Sequence, residues 1–251
     1  MSGRLDIIGL GPGPRQWLTL ETPEILFRAT DLVGYGPYLD RVACHEGQRR
    51  HASDNREELA RARNALQLAA AGAYVVIVSG GDPGVFAMAT AVFEALETGE
   101  ATWRKIEIAV HPGISAMLAA AARLGAPLGH DFCAISLSDN LKPWSVIEQR
   151  LRAAALGDFV MALYNPASKA RPRLIHDAFA LLRELKPAET IVGFARAIGR
   201  ADEKLTLTTL GKADPAIADM STLVLVGAHA TRSFEACGRR WIYTPRGSGA
   251  F

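Results

Sequence analysis

The chain has 251 residues, 49% of them hydrophobic and 22% charged, with a formal net charge of +2. That composition fills one large core or two medium ones and excludes a disordered chain. The 28 Lys and Arg are dispersed instead of gathered into runs, which makes nucleic acid a poor partner but leaves room for a small polyanion met by a few arginines.

"RLDIIGL" opens the chain as a short β-branched strand that ends in glycine. The stretch that follows, "GLGPGPRQWLT" at residues 9–19, has the look of a dinucleotide loop. However, Pro12 and Pro14 carry no N–H to offer a pyrophosphate, and the next helix is expected only at Thr22-Pro23-Glu24, with Thr22 as its N-cap. A nicotinamide or flavin site is therefore disfavoured. "NREELARARNALQLAAAG" reads as an amphipathic helix through Leu59, Ala62, Ala65, Leu66 and Ala69. "AYVVIVSGG" and "IEIAVHPG" repeat the form of the first strand. Strand, glycine turn and helix in alternation is the grammar of a parallel α/β sheet, whose ligands sit beyond the carboxyl ends of the strands.

Two of these turns have a bland and a functional reading side by side. In "SGGDPG", residues 79–84, the glycines let backbone approach a ligand and Asp82 offers one acid; the alternative is an ordinary turn with Asp82 as a helix cap. In "HPGISAMLAAAARLGAPLG", residues 111–129, small side chains follow Ser115, which suits either a ligand or a plain N-cap with close packing.

After about residue 112 the rhythm changes. "DFCAISLSD", "DFVMALYNP", "ETIVGFARAIG", "KLTLTTLG" and "STLVLVGA" are strand candidates, and the last three follow one another without a helix, which predicts a mixed sheet. The expected architecture is two α/β domains, residues 1–112 and 113–251, with a cleft between them as the place for a small molecule. The tail "WIYTPRGSGAF" fits neither strand nor helix.

Cys44, Cys133 and Cys237 are too widely spaced for a paired ligand motif, and their odd number argues against a disulfide framework, so reduced thiols in a cytoplasmic protein are expected. The first residues lack the features of a secretory leader, and no apolar run approaches the ~20 residues of a membrane span. No metal is expected, since His45 and His51 lack a matching set of ligands.

"GLGPG", "GGDPGVF" and "HPGIS", in this order and at these separations, resemble the tetrapyrrole methylase family, the S-adenosylmethionine-dependent methyltransferases of corrin and sirohaem synthesis. The likeness runs from Leu5 to about Phe234. "LVGYGPYLDRV", "GDPGVFAMA" and "DFVMALYNPASKARP" extend it toward a ring-contracting member of that family. The resemblance implies a homodimer of two-domain subunits, with S-adenosyl-L-methionine as cofactor, S-adenosyl-L-homocysteine as product and a tetrapyrrole as substrate. The cofactor contacts it implies fall on Pro12, Gly80, Gly81, Asp82, Val85, Ser115 and Ala116, and in the second domain on Asn165 and Ala195.

Methyl transfer from an activated sulfonium needs alignment more than a side-chain nucleophile, whereas ring contraction moves protons and calls for an acid or base. Asp82, His111 and Asp139 are the catalytic candidates; His130, Asp131, Asn140 and Tyr164 also lie near strand ends. For the acid groups of the substrate, Arg15, Thr19, Lys142, Lys169, Arg171, Arg196 and Arg232 are the candidate partners, each in a loop or at an element end. Three rivals stay open: a corrin-pathway methyltransferase acting at another carbon, a nucleotide-dependent oxidoreductase, and a tetrapyrrole carrier without catalysis.

Overall fold

The computed structural model describes residues 3–54, 57–168 and 171–247. Contacts divide the chain into two units, Met1–Ala116 and Met117–Phe251. The first contains β1 (Arg4–Gly9), α1 (Thr22–Arg28), β2 (Asp31–Tyr35), α2 (Gly36–Leu39), β3 (Arg49–Ser53), α3 (Glu58–Ala70), β4 (Tyr74–Ser79), α4 (Met88–Thr98) and β5 (Glu107–His111). Its strands form one sheet in the order β3-β2-β4-β1-β5, and every pair is parallel.

Helices cover both faces, so the central strands are apolar throughout instead of alternating. Leu5, Ile7, Val75 and Ile77 pack toward Ala62, Leu66, Val92 and Trp103 on one face. Ile8, Val76 and Val78 pack with Leu32 and Leu39 on the other. Each such aliphatic side chain contributes about 1.5–3 kcal/mol by leaving water. The exceptions are acids: Asp6 and Asp31 are fully buried within the strands.

The chain passes into the second unit through α5 (Ala116–Leu124), followed by β6 (Gly125–Ala126), β7 (Phe132–Ser136), α6 (Trp144–Leu156), β8 (Val160–Tyr164), α7 (Leu174–Leu185), β9 (Ile191–Arg196), β10 (Lys204–Thr209), β11 (Thr222–Val226), β12 (Arg232–Ala236) and β13 (Arg239–Tyr243). The main sheet runs β10-β9-β11-β8-β7. Here β7 and β8 are parallel, while β8, β11, β9 and β10 pair antiparallel. This is the mixed sheet expected from the missing helices. Ile147, Leu151, Phe179 and Leu182 cover one face.

Several local expectations need correction. The N-cap of α1 is Glu21, not Thr22; Thr22 is buried, with its hydroxyl 2.7 Å from that of Thr19. Leu59 faces solvent, and the buried position on that turn of α3 is Arg61, whose guanidinium donates to the Ser53 hydroxyl and the Asp54 carbonyl. The tail is not patternless: Trp241, Ile242 and Tyr243 belong to β13, which pairs antiparallel with β12 and parallel with β6. Strands β2 and β3 went unrecognised, because β3 reads "RRHAS" and carries no apolar alternation.

What joins β3 to the sheet besides its ladder is the buried Asp31. It accepts from Arg49 Nη2 at 2.8 Å, His51 Nε2 at 2.7 Å and the Thr30 hydroxyl at 2.8 Å. Burial alone would raise its carboxyl, but these hydrogen bonds outweigh burial and hold it below the ordinary carboxylate value. A depressed folded pKa gives stability that is complete above the unfolded value of about 3.9 and is lost as the pH falls through the folded one. Asp31→Asn should therefore cost about 2 kcal/mol at neutral pH. In denaturant melts the gap to the wild type should hold from pH 8 down to about 5 and narrow below about 4.

Candidate functional site

β1, β4 and β5 lie side by side, so the turns leaving their carboxyl ends meet. The Leu10 N–H donates to the Ser79 carbonyl at 2.8 Å, and Gly11 and Gly81 exchange N–H···O bonds of 3.1 and 3.2 Å. The third turn is drawn in by Asp82, whose Oδ2 accepts from the Gly113 N–H at 3.0 Å while Oδ1 accepts from Gly84 at 2.8 Å. Backbone packs directly on backbone here. A Cβ on Gly113 would lie 2.3 Å from the Gly81 carbonyl oxygen and 2.8 Å from the Gly9 Cα. Gly81 itself has φ of 66°, a conformation costly for any residue with a side chain.

Seven expected cofactor residues lie on these turns or at their ends. Pro12 and Val85 are half-buried and Ser115 is buried just before α5, which Ala116 begins. Gly80 lies against the Tyr38 ring, with Gly81 and Asp82 following it. Asp82 is not the cap of α4, whose N-cap is Ala87; both its oxygens bind backbone of the turns. That makes it the brace of the turn cluster. Pro12, Pro14, Pro83 and Pro112 have no N–H, and the Gly84 and Gly113 amides are given to Asp82. Fewer amides are thus left for a phosphate than in a glycine-rich phosphate loop. They suit a ligand with amine, hydroxyl and aromatic groups and no phosphate.

His111 closes β5, with Nδ1 3.1 Å from Glu21 Oε2 and Nε2 3.5 Å from Asp6 Oδ1, the second too long for a good hydrogen bond. Asp6 instead accepts from the Tyr74 hydroxyl at 2.5 Å and from Arg4 Nε at 3.0 Å. Burial, followed by that bond to Asp6, pushes the Tyr74 hydroxyl up to about 12. It therefore stays protonated and donates. Arg15 lies exposed on the short helical turn Arg15–Trp17, and Thr19 spends its hydroxyl on Thr22.

In the second unit the carboxyl ends of β7 and β8 lie together. Asn165 follows β8 with φ of 52°, and its Nδ2 donates to the Ser136 hydroxyl at 2.9 Å. The Tyr164 hydroxyl accepts the Met117 N–H at 3.1 Å, near the start of α5. Asp139 and Arg171 pair at 2.5 Å, so a candidate acid and a candidate carboxylate binder neutralise each other. Arg196 is likewise engaged, by Asp219 at 2.8 Å and Asp202 at 2.9 Å. Ala195 is only 1% exposed, between β10 and β11. Lys142 is half-buried; burial first, then Arg150, lowers its ammonium pKa. Arg232 lines an open apolar groove of about 800 Å³ with Phe234, Trp241 and Tyr243. His130 and Asp131 stand 3.8 Å apart before β7, and the Asn140 N–H donates to the Ser138 hydroxyl at 3.4 Å. Lys169 falls outside the described residues.

The left-handed backbone that Phe86 and Ala197, like Asn165, Asp158 and Cys237, hold without being glycine was not foreseen; φ is 52° at Phe86 and 49° at Ala197. Phe86 and Ala197 lie in the loop after β4 and directly after β9. Such strain collects at functional loops, and no residue-type signal announces it. Among the described residues no three His, Cys, Asp or Glu side chains gather as a metal site, and no helix is long and apolar enough to cross a membrane.

The family model for tetrapyrrole (corrin/porphyrin) methylases matches residues 4–214. A precorrin-3B C(17)-methyltransferase of Sinorhizobium sp is 56% identical over 98% of this chain and 97% of its own length. A probable cobalt-factor III C(17)-methyltransferase of Salmonella typhimurium is 41% identical over 97% of this chain and 98% of its own. Among solved structures, that of the methyltransferase CobJ superposes with a TM-score of 0.92 at 52% identity, covering 97% of this chain and all of that one.

The turn cluster makes a sharp prediction about its tightest contact. Gly113→Ala forces its Cβ against backbone that no rotamer can move, and should cost about 2 kcal/mol or more in chemical denaturation. Gly36→Ala, where a Cβ meets nothing within 4 Å, should stay within about 0.5 kcal/mol of the wild type. Equal effects would contradict the packing described.

Proposed function

This chain belongs to the tetrapyrrole (corrin/porphyrin) methylase family, and we propose that it methylates precorrin-3B at carbon 17, with contraction of the ring to precorrin-4, in cobalamin biosynthesis. The observation that carries this is the 56% identity to a precorrin-3B C(17)-methyltransferase across nearly the full length of both chains. The hydrogen-bonded cluster of three glycine turns supports it, since such turns suit a ligand without phosphate.

Pro12, Gly80, Gly81, Val85, Ser115 and Ala116 would hold S-adenosyl-L-methionine, which would supply a methyl group already activated on a sulfonium. The chain's own work is to orient and to exclude water. Asp82 keeps the turns in register through the Gly84 and Gly113 amides. Asn165 and Ser136 offer polar groups at the strand ends of the second unit. For the protons of ring contraction, His111 is the strongest of the three candidates: its Nδ1 faces Glu21 but its Nε2 makes no hydrogen bond among the described residues, whereas both Asp82 oxygens accept backbone amides and Asp139 is paired with Arg171. Arg15, Lys142 and Arg232 are the candidate partners for substrate carboxylates. The resemblance adds a homodimer, and the free thiols Cys44, Cys133 and Cys237 accord with the cytoplasm.

The reading is tested by mass spectrometry of the pigment after incubation with methyl-labelled S-adenosylmethionine, offering precorrin-3B beside cobalt-factor III, precorrin-2 and precorrin-4. We expect one labelled methyl group on precorrin-3B, in a contracted product. Label on another substrate alone would move the reaction within the family, and tight pigment binding without label would indicate a carrier.

A further inference from the structure

The segment "GYGPYLDRV" carries two side chains that reach the turn cluster although neither belongs to a glycine turn. Arg41 places a single guanidinium nitrogen, Nη2, at 2.9 Å from the Leu10 carbonyl oxygen, 3.1 Å from that of Gly11 and 3.0 Å from that of Gly13. Three carbonyl dipoles of the first turn thus converge on one positive charge, an arrangement stronger than neutral hydrogen bonds. Three residues earlier, Tyr38 lies against the second turn: a Cβ on Gly80 would stand 2.5 Å from its Cζ.

The segment is itself held from beneath. The Arg41 N–H donates to the Tyr38 carbonyl at 3.1 Å and the Val42 N–H to Leu39 at 3.0 Å. Arg50, from β3, donates Nη2 to the Leu39 carbonyl at 2.9 Å and also to that of Val42. Arg41 is therefore presented from a fixed base, and reaches a loop about thirty residues upstream, as the separations of 31, 30 and 28 residues show.

We propose that Arg41 is a positioning residue for the S-adenosylmethionine site, fixing the conformation in which the first turn presents Pro12, while Tyr38 seats Gly80 of the second. This rests on the assignment of the three turns to that ligand. Without Arg41, the Leu10 and Gly13 carbonyls lose this donor and the Gly11 carbonyl keeps only the Gly81 N–H, so the turn must open to rehydrate them. These three bonds run from one nitrogen, so a Lys ammonium, with three donors on a single atom, can replace much of them.

The test is calorimetric titration of the wild type, Arg41→Ala and Arg41→Lys with S-adenosylhomocysteine, together with amide hydrogen exchange across residues 9–18. Arg41→Ala should weaken binding about tenfold or more and speed exchange in that segment, as expected for losing charge-assisted bonds. Arg41→Lys should come back to within about threefold. If Arg41→Ala does not fold, Arg41→Met, of similar length and without a donor, takes over with the same expectation. Unchanged affinity in the variant overturns the proposal, as does a loss that Arg41→Lys does not recover. A wild type that binds no S-adenosylhomocysteine overturns the assignment of the turns and the proposal with it. Binding by the wild type that Arg41→Ala leaves intact overturns the proposal alone.

Discussion

The contact on which the rest of the site depends is backbone against backbone, where Gly9, Gly81 and Gly113 come closer than any side chain would allow. Such an approach has no dispersion-rich side chains to stabilise it and must be held by directional bonds. Asp82 provides them, spending both carboxylate oxygens on amides of two turns. Its desolvation is tolerable because each oxygen receives a donor. Three loops that would otherwise wander become one rigid surface. They stand at the carboxyl ends of adjacent parallel strands, whose aliphatic packing on both faces fixes where each loop begins.

This arrangement explains why the turns are poor in N–H donors. Prolines at 12, 14, 83 and 112 stiffen the loops and delete amides, and Asp82 consumes two more. A nucleotide-binding loop uses the opposite design, leaving amides free for phosphate. The proline-rich version offers fewer amides and gains a preorganised outline.

How much of this was legible in the sequence depended on the range of the interaction concerned. The parallel sheet and the mixed sheet were legible because apolar runs and glycine turns are local signals, and the absence of helices between β9, β10 and β11 is visible by length alone. The three turns were legible as a set through family resemblance. What escaped was long-range or polar. "RRHAS" has no apolar alternation, yet its ladder with β2 is reinforced by Asp31, which accepts from Arg49 and His51. That Asp82 braces the turns, a reading the sequence did not offer, escaped because its partner, Gly113, is 31 residues away. Leu59 left the buried face and Arg61 took it, because the Ser53 hydroxyl and the Asp54 carbonyl give the guanidinium somewhere to bind. The hairpin β12–β13 escaped because its residues alternate around Arg and Gly without a continuous apolar face.

The fate of the cations separates binding from charge balance. Arg171 and Arg196 already sit against Asp139, Asp219 and Asp202, so a substrate carboxylate arriving there must displace an acid that is then left in water. Such an exchange conserves the number of ion pairs and yields little net affinity. A group that makes no ion pair within the chain faces no such competition. Among the described residues Arg15, Lys142 and Arg232 make no salt bridge to an acid, and the lowered ammonium pKa of Lys142 reflects burial and Arg150 with no compensating acid. A bound carboxylate would relieve that cost. Such unpaired cations, more than the paired arginines, would carry the net affinity for any polyacid ligand.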